Sequence, residues 1–101
     1  MGVIAVSTLR EFWETYPDAE QPLKAWLEEV HGAQWQQPAD IQAQFGSAST
    51  LKGRRVVFNI KGNDFRIIVA VAYKFQALCI KFVGTHAQYD AIDALTVKTS
   101  P

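Results

Sequence analysis

The residues whose types best suit a chemical reaction lie near the end of the chain, in the stretch FVGTHAQYDAID (82–93). His86, Tyr89, Asp90 and Asp93 fall at i, i+3, i+4 and i+7, which is one stripe of a helix. A histidine titrates near neutral pH and suits either direction of proton transfer. Tyr89 could donate a proton or stack on an unpaired base. Cleavage of RNA without a metal ion needs such groups, together with cations that stabilise the negative charge on phosphorus.

Those cations come from the preceding segment, where the hydrophobic period changes to that of strands. The alternating stretches RRVVFNI and DFRIIVAVAY flank Gly62 and Asn63, a two-residue hairpin signal suited to a type II′ turn. This turn places Asn59 opposite Arg66 on a polar face and makes the pairs on the other face apolar. A slip of one residue would bury Arg66, so the register is well specified.

A third strand, LCIKFVGT, follows the turn KFQA, which lacks strong turn residues. Pairing Tyr73 with Leu78 would place Thr85 opposite Arg66 and leave Lys81 on the same polar face. The apolar face of this strand would then carry Leu78, Ile80 and Phe82. The three strands therefore predict a meander that presents cations beside the last helix.

The first half of the chain predicts a short strand, GVIAV, and three helices that cover the apolar face. STLREFWETY has a capping box, Thr8 with Glu11, and ends at Pro17. QPLKAWLEEVHG is a second helix with Pro22 in its first turn, and PADIQAQFG is a third that begins at Pro38. Their aromatic residues recur at helical spacing, which favours a core.

The same C-terminal stretch also has a purely structural interpretation. Thr85 and Gln88 form a capping box, which is typical of the start of a helix. On this interpretation His86 is an exposed histidine, and the polar face of the sheet is only solvated. The residues alone leave both interpretations open.

Charge is distributed unevenly although the net charge is zero. Residues 1–50 contain two bases and seven acids, a net of −5, whereas residues 51–101 contain eight bases and three acids, a net of +5. Such asymmetry favours a partner that is a polyanion, such as nucleic acid. A chain of 101 residues is expected to form one domain.

Several other classes of protein are disfavoured. The single cysteine, Cys79, cannot form an internal disulfide and suits a reducing compartment. The sequence has no apolar run long enough for a membrane span and no signal-peptide pattern, so we expect a soluble cytoplasmic protein. The two histidines and the carboxylates lack the spacing of metal ligands. Phosphate-binding glycine loops and nucleophile turns are missing as well.

Four stretches together resemble the HigB family of toxins from toxin–antitoxin systems: REFWETYPDAEQPLKAWLEEV, WxxPADI, RVVFNIKGNDFRIIVAVAY and FVGTHAQYDAID. The resemblance runs over about residues 3–95. It implies a RelE-like α+β fold, in which an N-terminal strand and helices pack on one face of an antiparallel sheet and a short helix ends the chain. It also implies an mRNA interferase that needs no cofactor and cuts mRNA in the ribosomal A site. A HigA-type antitoxin with a helix-turn-helix domain would neutralise it, and operator DNA would be reached only through that antitoxin.

The residues that match the family pattern are Asn59, Gly62, Asn63, Arg66, Thr85, His86, Tyr89 and Asp90. The resemblance implies that the catalytic residues are Arg66, His86 and Tyr89, without a metal ion. It implies that RNA is bound by Lys61, Lys81, Asn59 and Arg55. Which of the histidine and the tyrosine acts as acid and which as base stays open. The neutral charge departs from the basic character expected of a nuclease that binds the ribosome.

Two other functions are compatible with the same sequence. One is a catalytically inactive relative that only binds an antitoxin and modulates repression of the operon. The other is a free-standing RNA-binding domain without a partner. Growth arrest by the wild-type chain would distinguish a toxin from both.

Overall fold

The computed structural model describes residues 1–98, which form a five-stranded sheet with three helices on one face and a short helix at its end. The elements are β1 (Gly2–Ile4), α1 (Val6–Thr15), α2 (Glu20–His31), α3 (Pro38–Gln44), β2 (Ser49–Leu51), β3 (Arg55–Ile60), β4 (Phe65–Ala72), β5 (Ala77–Thr85) and α4 (His86–Asp90). The strand order is β1-β5-β4-β3-β2. Only β1 pairs in parallel, with β5. The predicted α+β architecture is confirmed, and no helix within residues 1–98 has the length and apolar character needed to cross a membrane.

The predicted register of the β3–β4 hairpin is confirmed. Asn59 pairs with Arg66, and the ladder ends where Ile60 pairs with Phe65. Gly62 adopts the left-handed conformation that the turn requires, with φ of +64°. The left-handed region also includes Lys61, with φ of +53°, so the turn takes in a residue that was predicted to lie in the strand.

The predicted register of β4 and β5 is wrong. Next to the connecting turn, Ala72 pairs with Ala77, whereas the prediction paired Tyr73 with Leu78. The reason is that the turn itself begins at Tyr73 and ends at Gln76, which is left-handed with φ of +51°. Nothing in KFQA marks a glutamine for that conformation, which glycine or asparagine usually adopts.

A β-bulge then displaces the rest of β5. Val69 pairs with Ile80 but Ile68 pairs with Phe82, which leaves Lys81 as an extra residue. Because a bulge redirects the side chains that follow it, Phe82 leaves the helix-covered face on which it was predicted. Val83 joins the main core instead. The residue opposite Arg66 is therefore Gly84 and not Thr85, which pairs with Phe65.

Helix α2, the segment that follows it and the end of α3 cover the sheet through aromatic contacts around Phe58. Its ring lies 5.3 Å from Trp26, 6.2 Å from Trp35 and 5.1 Å from Phe45, centroid to centroid. Trp26 belongs to the apolar face predicted for α2, which is buried at Leu23, Trp26, Leu27 and Val30. Phe58 thus joins β3 to α2, α3 and the segment between them.

Two local predictions for the first half differ from the structure. Helix α1 begins at Val6 after Ala5, without a cap from Thr8, because the chain passes directly from β1 into the helix. Strand β2 was not predicted, since its three residues are too few to show a period. Helix α3 begins at Pro38 as predicted.

Replacing Phe58 tests the importance of this aromatic cluster. We expect Phe58→Ala to lower the free energy of unfolding by about 3–5 kcal/mol, because it opens a cavity among rings that cannot collapse fully. Phe75→Ala is the matched control, since Phe75 is 77 % exposed whereas Phe58 is 1 % exposed. Urea unfolding followed by circular dichroism measures both. A loss of less than 1 kcal/mol (roughly the effect of a surface change) in Phe58→Ala would contradict this description of the core.

Candidate active site

Arg66 is the buried cation of the open face of the sheet, the face opposite α1–α3. It is 8 % exposed, and it is the one charged residue that is buried within residues 1–98. Its guanidinium donates to the Asn63 carbonyl at 3.0 Å, to the Phe65 carbonyl at 3.2 Å and to Asn63 Oδ1 at 3.4 Å. The hairpin turn that supplies Asn63 therefore fixes the direction of the guanidinium.

The ring of Tyr89 lies against Arg66, with 5.6 Å between the guanidinium carbon and the ring centroid. This is the range of a cation–π contact. The same ring is tilted against Phe82 at 6.5 Å between centroids. The bulge brings Phe82 to this face, so it also determines where Tyr89 rests.

Helix α4 is capped as predicted. Thr85 Oγ1 accepts from the amide of Gln88 at 3.2 Å, and the Gln88 side chain accepts from the amide of Thr85 at 2.9 Å. The amide of His86 donates to the carbonyl of Asp64 at 3.0 Å, which ties the start of α4 to the β3–β4 turn. The predicted capping box is thus confirmed, and because the cap also sets the direction of the helix that carries His86 and Tyr89, it is compatible with a chemical role of this stretch.

His86 projects from the first turn of α4 with its side chain 53 % exposed. Its Nε2 lies 3.8 Å from Asp90 Oδ1, the neighbour that was predicted one helical turn away. The predicted stripe does not extend to Asp93, because α4 ends at Asp90. Asp93 instead accepts from the amide of Leu95 at 2.9 Å.

Gly84 makes the close approach of α4 to the sheet possible. A Cβ atom there would lie 2.4 Å from Cζ of Phe82 and 2.9 Å from Oε1 of Gln88. Both neighbours are held, the first by burial and the second by the helix cap. Gly84 is opposite Arg66 in the ladder, so Phe82 and Gln88 occupy the place beside the cation that a larger side chain would need.

Two of the residues predicted to bind RNA lie near Arg66 in the fold. Asn59 is directly opposite it and donates to the Ser47 carbonyl at 3.5 Å. Lys61, in the hairpin turn, is 3.6 Å from Asp64 and 3.7 Å from Asp18, measured from Nζ to carboxylate oxygens. These ion pairs are exposed, so they are weak and open to exchange.

The other two residues that were predicted to bind RNA, Lys81 and Arg55, lie together but apart from Arg66. They line a shallow depression of about 550 Å³ whose walls also include Cys79 and Lys98. Arg66, His86 and Tyr89 are not part of its lining. Arg55 Nη1 donates to the carbonyls of Ala94 and Val97, so its guanidinium is engaged with the end of the chain.

The sequence interpretation missed the segment that follows α4. Ile92, Ala94 and Val97 pack on a small second cluster of Val57, Ile68 and Phe82, on the open face of the sheet. Part of the face that was predicted to be polar and open is therefore covered. Two apolar residues on that face of the hairpin, Val57 and Ile68, were the available signal, since an exposed sheet face rarely carries such side chains unless something covers them.

Metal ligation has no support in this arrangement of side chains. Within residues 1–98, no three side chains of His, Cys, Asp or Glu are grouped so that they could hold an ion. The charged groups of the site are instead one arginine, one histidine beside one aspartate, and one lysine between two aspartates.

The small α+β fold thus brings together a buried arginine, the tyrosine that covers it and a capped helix that carries a histidine. The family comparison agrees with the class that the fold suggests. Residues 19–92 match the model of the HigB toxin family, described as the RelE-like toxic component of a toxin–antitoxin system. The chain therefore belongs to the HigB toxin family.

Curated relatives support the same family. Over 97 residues the chain is 29 % identical to a protein of Escherichia coli K12 named mRNA interferase toxin HigB, covering 94 % of this chain and 93 % of that protein. The proteins named mRNA interferase HigB in Escherichia coli O157:H7 and Shigella flexneri match with the same identity and coverage.

Substituting Gly84 tests how α4 is seated. We expect Gly84→Ala to cost about 1–3 kcal/mol of unfolding free energy, because the new methyl group overlaps Phe82 and Gln88. Gly46→Ala is the control, since a Cβ at Gly46 meets nothing within 4 Å. Urea unfolding measures both, and equal stability of the two variants would show that α4 moves freely away from the strand.

Proposed function

We propose that this chain is a toxin that cuts mRNA and so inhibits translation. The observation that carries the proposal is the fixed orientation of Arg66, which is buried, hydrogen-bonded to the hairpin turn and covered by Tyr89. Burial of an arginine costs desolvation free energy, and the partners of Arg66 are neutral carbonyl and amide oxygens that leave its charge uncompensated. That charge is suited to a phosphate anion.

The reaction we propose is attack by the ribose 2′-oxygen on the adjacent phosphorus. A bond forms between the 2′-oxygen and phosphorus, and the bond from phosphorus to the 5′-oxygen of the next nucleotide breaks. A base accepts the 2′-hydroxyl proton, and an acid supplies a proton to the 5′-oxygen. Arg66 stabilises the extra negative charge on the phosphate oxygens.

His86 is the first candidate for a proton transfer, because an imidazole can both donate and accept a proton and this one is exposed at the edge of the site. Asp90 Oδ1 lies 3.8 Å from Nε2 of this ring, so a carboxylate is next to the imidazole. Tyr89 either carries out the second proton transfer or stacks on an RNA base. Stacking would use the ring face that does not contact Arg66. Lys61, Asn59 and Lys81 would contact the RNA backbone on either side.

Three further parts of the proposal rest on what the resemblance to the HigB family implies, of which the family description itself names only the toxin–antitoxin system. The mRNA is cut in the ribosomal A site. A HigA-type helix-turn-helix antitoxin neutralises the toxin, and operator DNA is bound through that antitoxin. The place of action is the cytoplasm, where ribosomes and antitoxin meet.

The two histidines of the chain provide a matched test in cells that lack the antitoxin. We expect induction of the wild type to arrest growth and cut mRNA within coding regions. His86→Ala should lower the cleavage rate by a factor of about 100 or more, because it removes a proton-transfer group. His31→Ala should remain as toxic as the wild type, since His31 lies at the end of α2, away from α4.

Arg66→Ala and Arg10→Ala form the second pair, with mapping of cleavage sites by primer extension. We expect loss of cleavage only in Arg66→Ala, because Arg10 is an exposed residue of α1. Circular dichroism of each purified variant separates loss of chemistry from loss of fold. Equal arrest by all variants would contradict the proposed site, and absence of arrest by the wild type would favour the inactive antitoxin-binding module.

A further inference from the structure

Residues 91–98, which we term the C-terminal strap, cross the open face of the sheet after α4. The strap is a series of turns, in which the amides of Thr96 and Val97 both donate to the carbonyl of Asp93. Its apolar side chains cover Val57, Ile68 and Phe82, which are 5 %, 0 % and 5 % exposed. The strap is therefore part of the folded structure and encloses a core of its own.

Arg55 anchors the far end of this strap. It is the first residue of β3 and pairs with Ala70 in the ladder. Its Nη1 donates to the carbonyl of Ala94 at 3.1 Å and to the carbonyl of Val97. The charge of an arginine strengthens hydrogen bonds to neutral carbonyls. Among the hydrogen bonds of residues 1–98, these two therefore form the strongest polar link between the strap and the sheet.

The near end of the strap is continuous with the helix that carries the candidate catalytic groups. Helix α4 has five residues, too few for an isolated helix to be stable in water. Its orientation must therefore come from its two ends. The first end is fixed by the Thr85 cap and by the link from His86 to Asp64.

At the second end, Tyr89 packs into the same cluster as Ile92, Ala94 and Val97. The amide of Ile92 also donates to the carbonyl of Tyr89 at 3.3 Å. The position of Tyr89 over Arg66 thus depends on apolar packing that the strap completes. If the strap lifts, Tyr89 loses part of the surface on which it rests.

We propose that Arg55 is a positioning residue, which acts through the C-terminal strap to hold Tyr89 against Arg66 and does not itself bind RNA. This inference rests on the proposed function, because it assigns Arg55 a role in the same reaction. It replaces the RNA contact that the sequence resemblance implied for Arg55. It also makes the strap, rather than α4 alone, responsible for the geometry of the site.

Two substitutions release the strap from opposite sides. Arg55→Met removes the donor to Ala94 and Val97, and Val97→Asn removes apolar contact with the second cluster while it leaves Arg55 in place. Lys52→Met is the matched control for the loss of a positive charge, since Lys52 is exposed in the turn between β2 and β3. All are made in the full chain and compared with the double variant Arg55→Met/Val97→Asn.

The first measurement is mRNA cleavage in a reconstituted translation reaction under single-turnover conditions. We expect each single variant to cleave about 10- to 100-fold more slowly at saturating ribosomes, with little change in the concentration that gives half-saturation, because misplacement of a group slows the chemical step. The double variant should be no slower than the slower single variant, since both changes release the same strap. Lys52→Met should cleave at the wild-type rate.

The second measurement is physical and needs no activity. In NMR spectra, Arg55→Met and Val97→Asn should both weaken the contacts between the Tyr89 ring and the Arg66 side chain and increase hydrogen exchange of the backbone amide at position 97. The salt dependence of affinity for a single-stranded RNA oligonucleotide should stay at the wild-type slope. A direct phosphate contact by Arg55 would instead reduce that slope by about 0.7 on the logarithmic scale.

The outcomes separate the two proposals. A flatter salt dependence in Arg55→Met, with unchanged Tyr89 contacts, would show that Arg55 binds RNA and would overturn the positioning role. Additive losses in the double variant would overturn it as well. If the wild type does not cleave mRNA, the proposed function fails, whereas the NMR comparison still decides whether Arg55 holds Tyr89 in place.

Discussion

One extra residue in β5 determines which side chains meet on the two faces of this sheet. Because Lys81 is inserted between Ile80 and Phe82, the alternation of the strand reverses, so Val83 enters the main core and Phe82 moves to the opposite face. Phe82 there provides the surface on which Tyr89 rests, and Tyr89 in turn covers Arg66. Gly84 follows at the place where α4 has to approach the strand. Without the bulge, the side chains of β5 after Ile80 would point to the opposite faces of the sheet, and Arg66 and Tyr89 would not meet.

The sequence is sufficient where a signal is local. Gly62 and the apolar alternation on both sides of it determine the β3–β4 register, and Thr85 with Gln88 determine the start of α4. The β4–β5 register could not be predicted in the same way. It depends on a left-handed Gln76 and on the bulge at Lys81, and neither residue type has a preference for such a position.

The same distinction between local and non-local signals applies to the residues of the candidate site. A correctly predicted hairpin and a correctly predicted cap place Arg66 and the start of α4, but the contact of Arg66 with Tyr89 also needs Phe82, which the unpredicted bulge brings to this face. Lys81 and Arg55 line a different depression. The strap itself could be predicted only by asking what covers Val57 and Ile68. The helix start at Val6 was missed since a Thr8–Glu11 pattern is only a statistical signal, and the parallel pairing of β1 overrides it.

The zero net charge is compatible with a surface that binds a polyanion, because the ion pairs beside the site are exposed and weak. Lys61 lies between Asp18, from the acidic half of the chain, and Asp64. Such exposed pairs contribute on the order of 0–1 kcal/mol, so a phosphate group can replace a carboxylate with little loss. Arg66 has no carboxylate among its hydrogen-bond partners. Within residues 1–98, the cation that matters most for the proposed chemistry therefore belongs to none of the ion pairs with acidic residues.

The enclosure of Arg66 has a consequence for the entropy of binding. When an exposed arginine binds a phosphate, the loss of its rotamer freedom costs about 1.5–2 kcal/mol of binding free energy. Arg66 has already lost that freedom in folding, since the hairpin turn and the tyrosine ring hold its guanidinium in one direction. A ligand therefore meets a rigid donor, and more of the electrostatic attraction remains available to discriminate between the ground state and the more highly charged transition state.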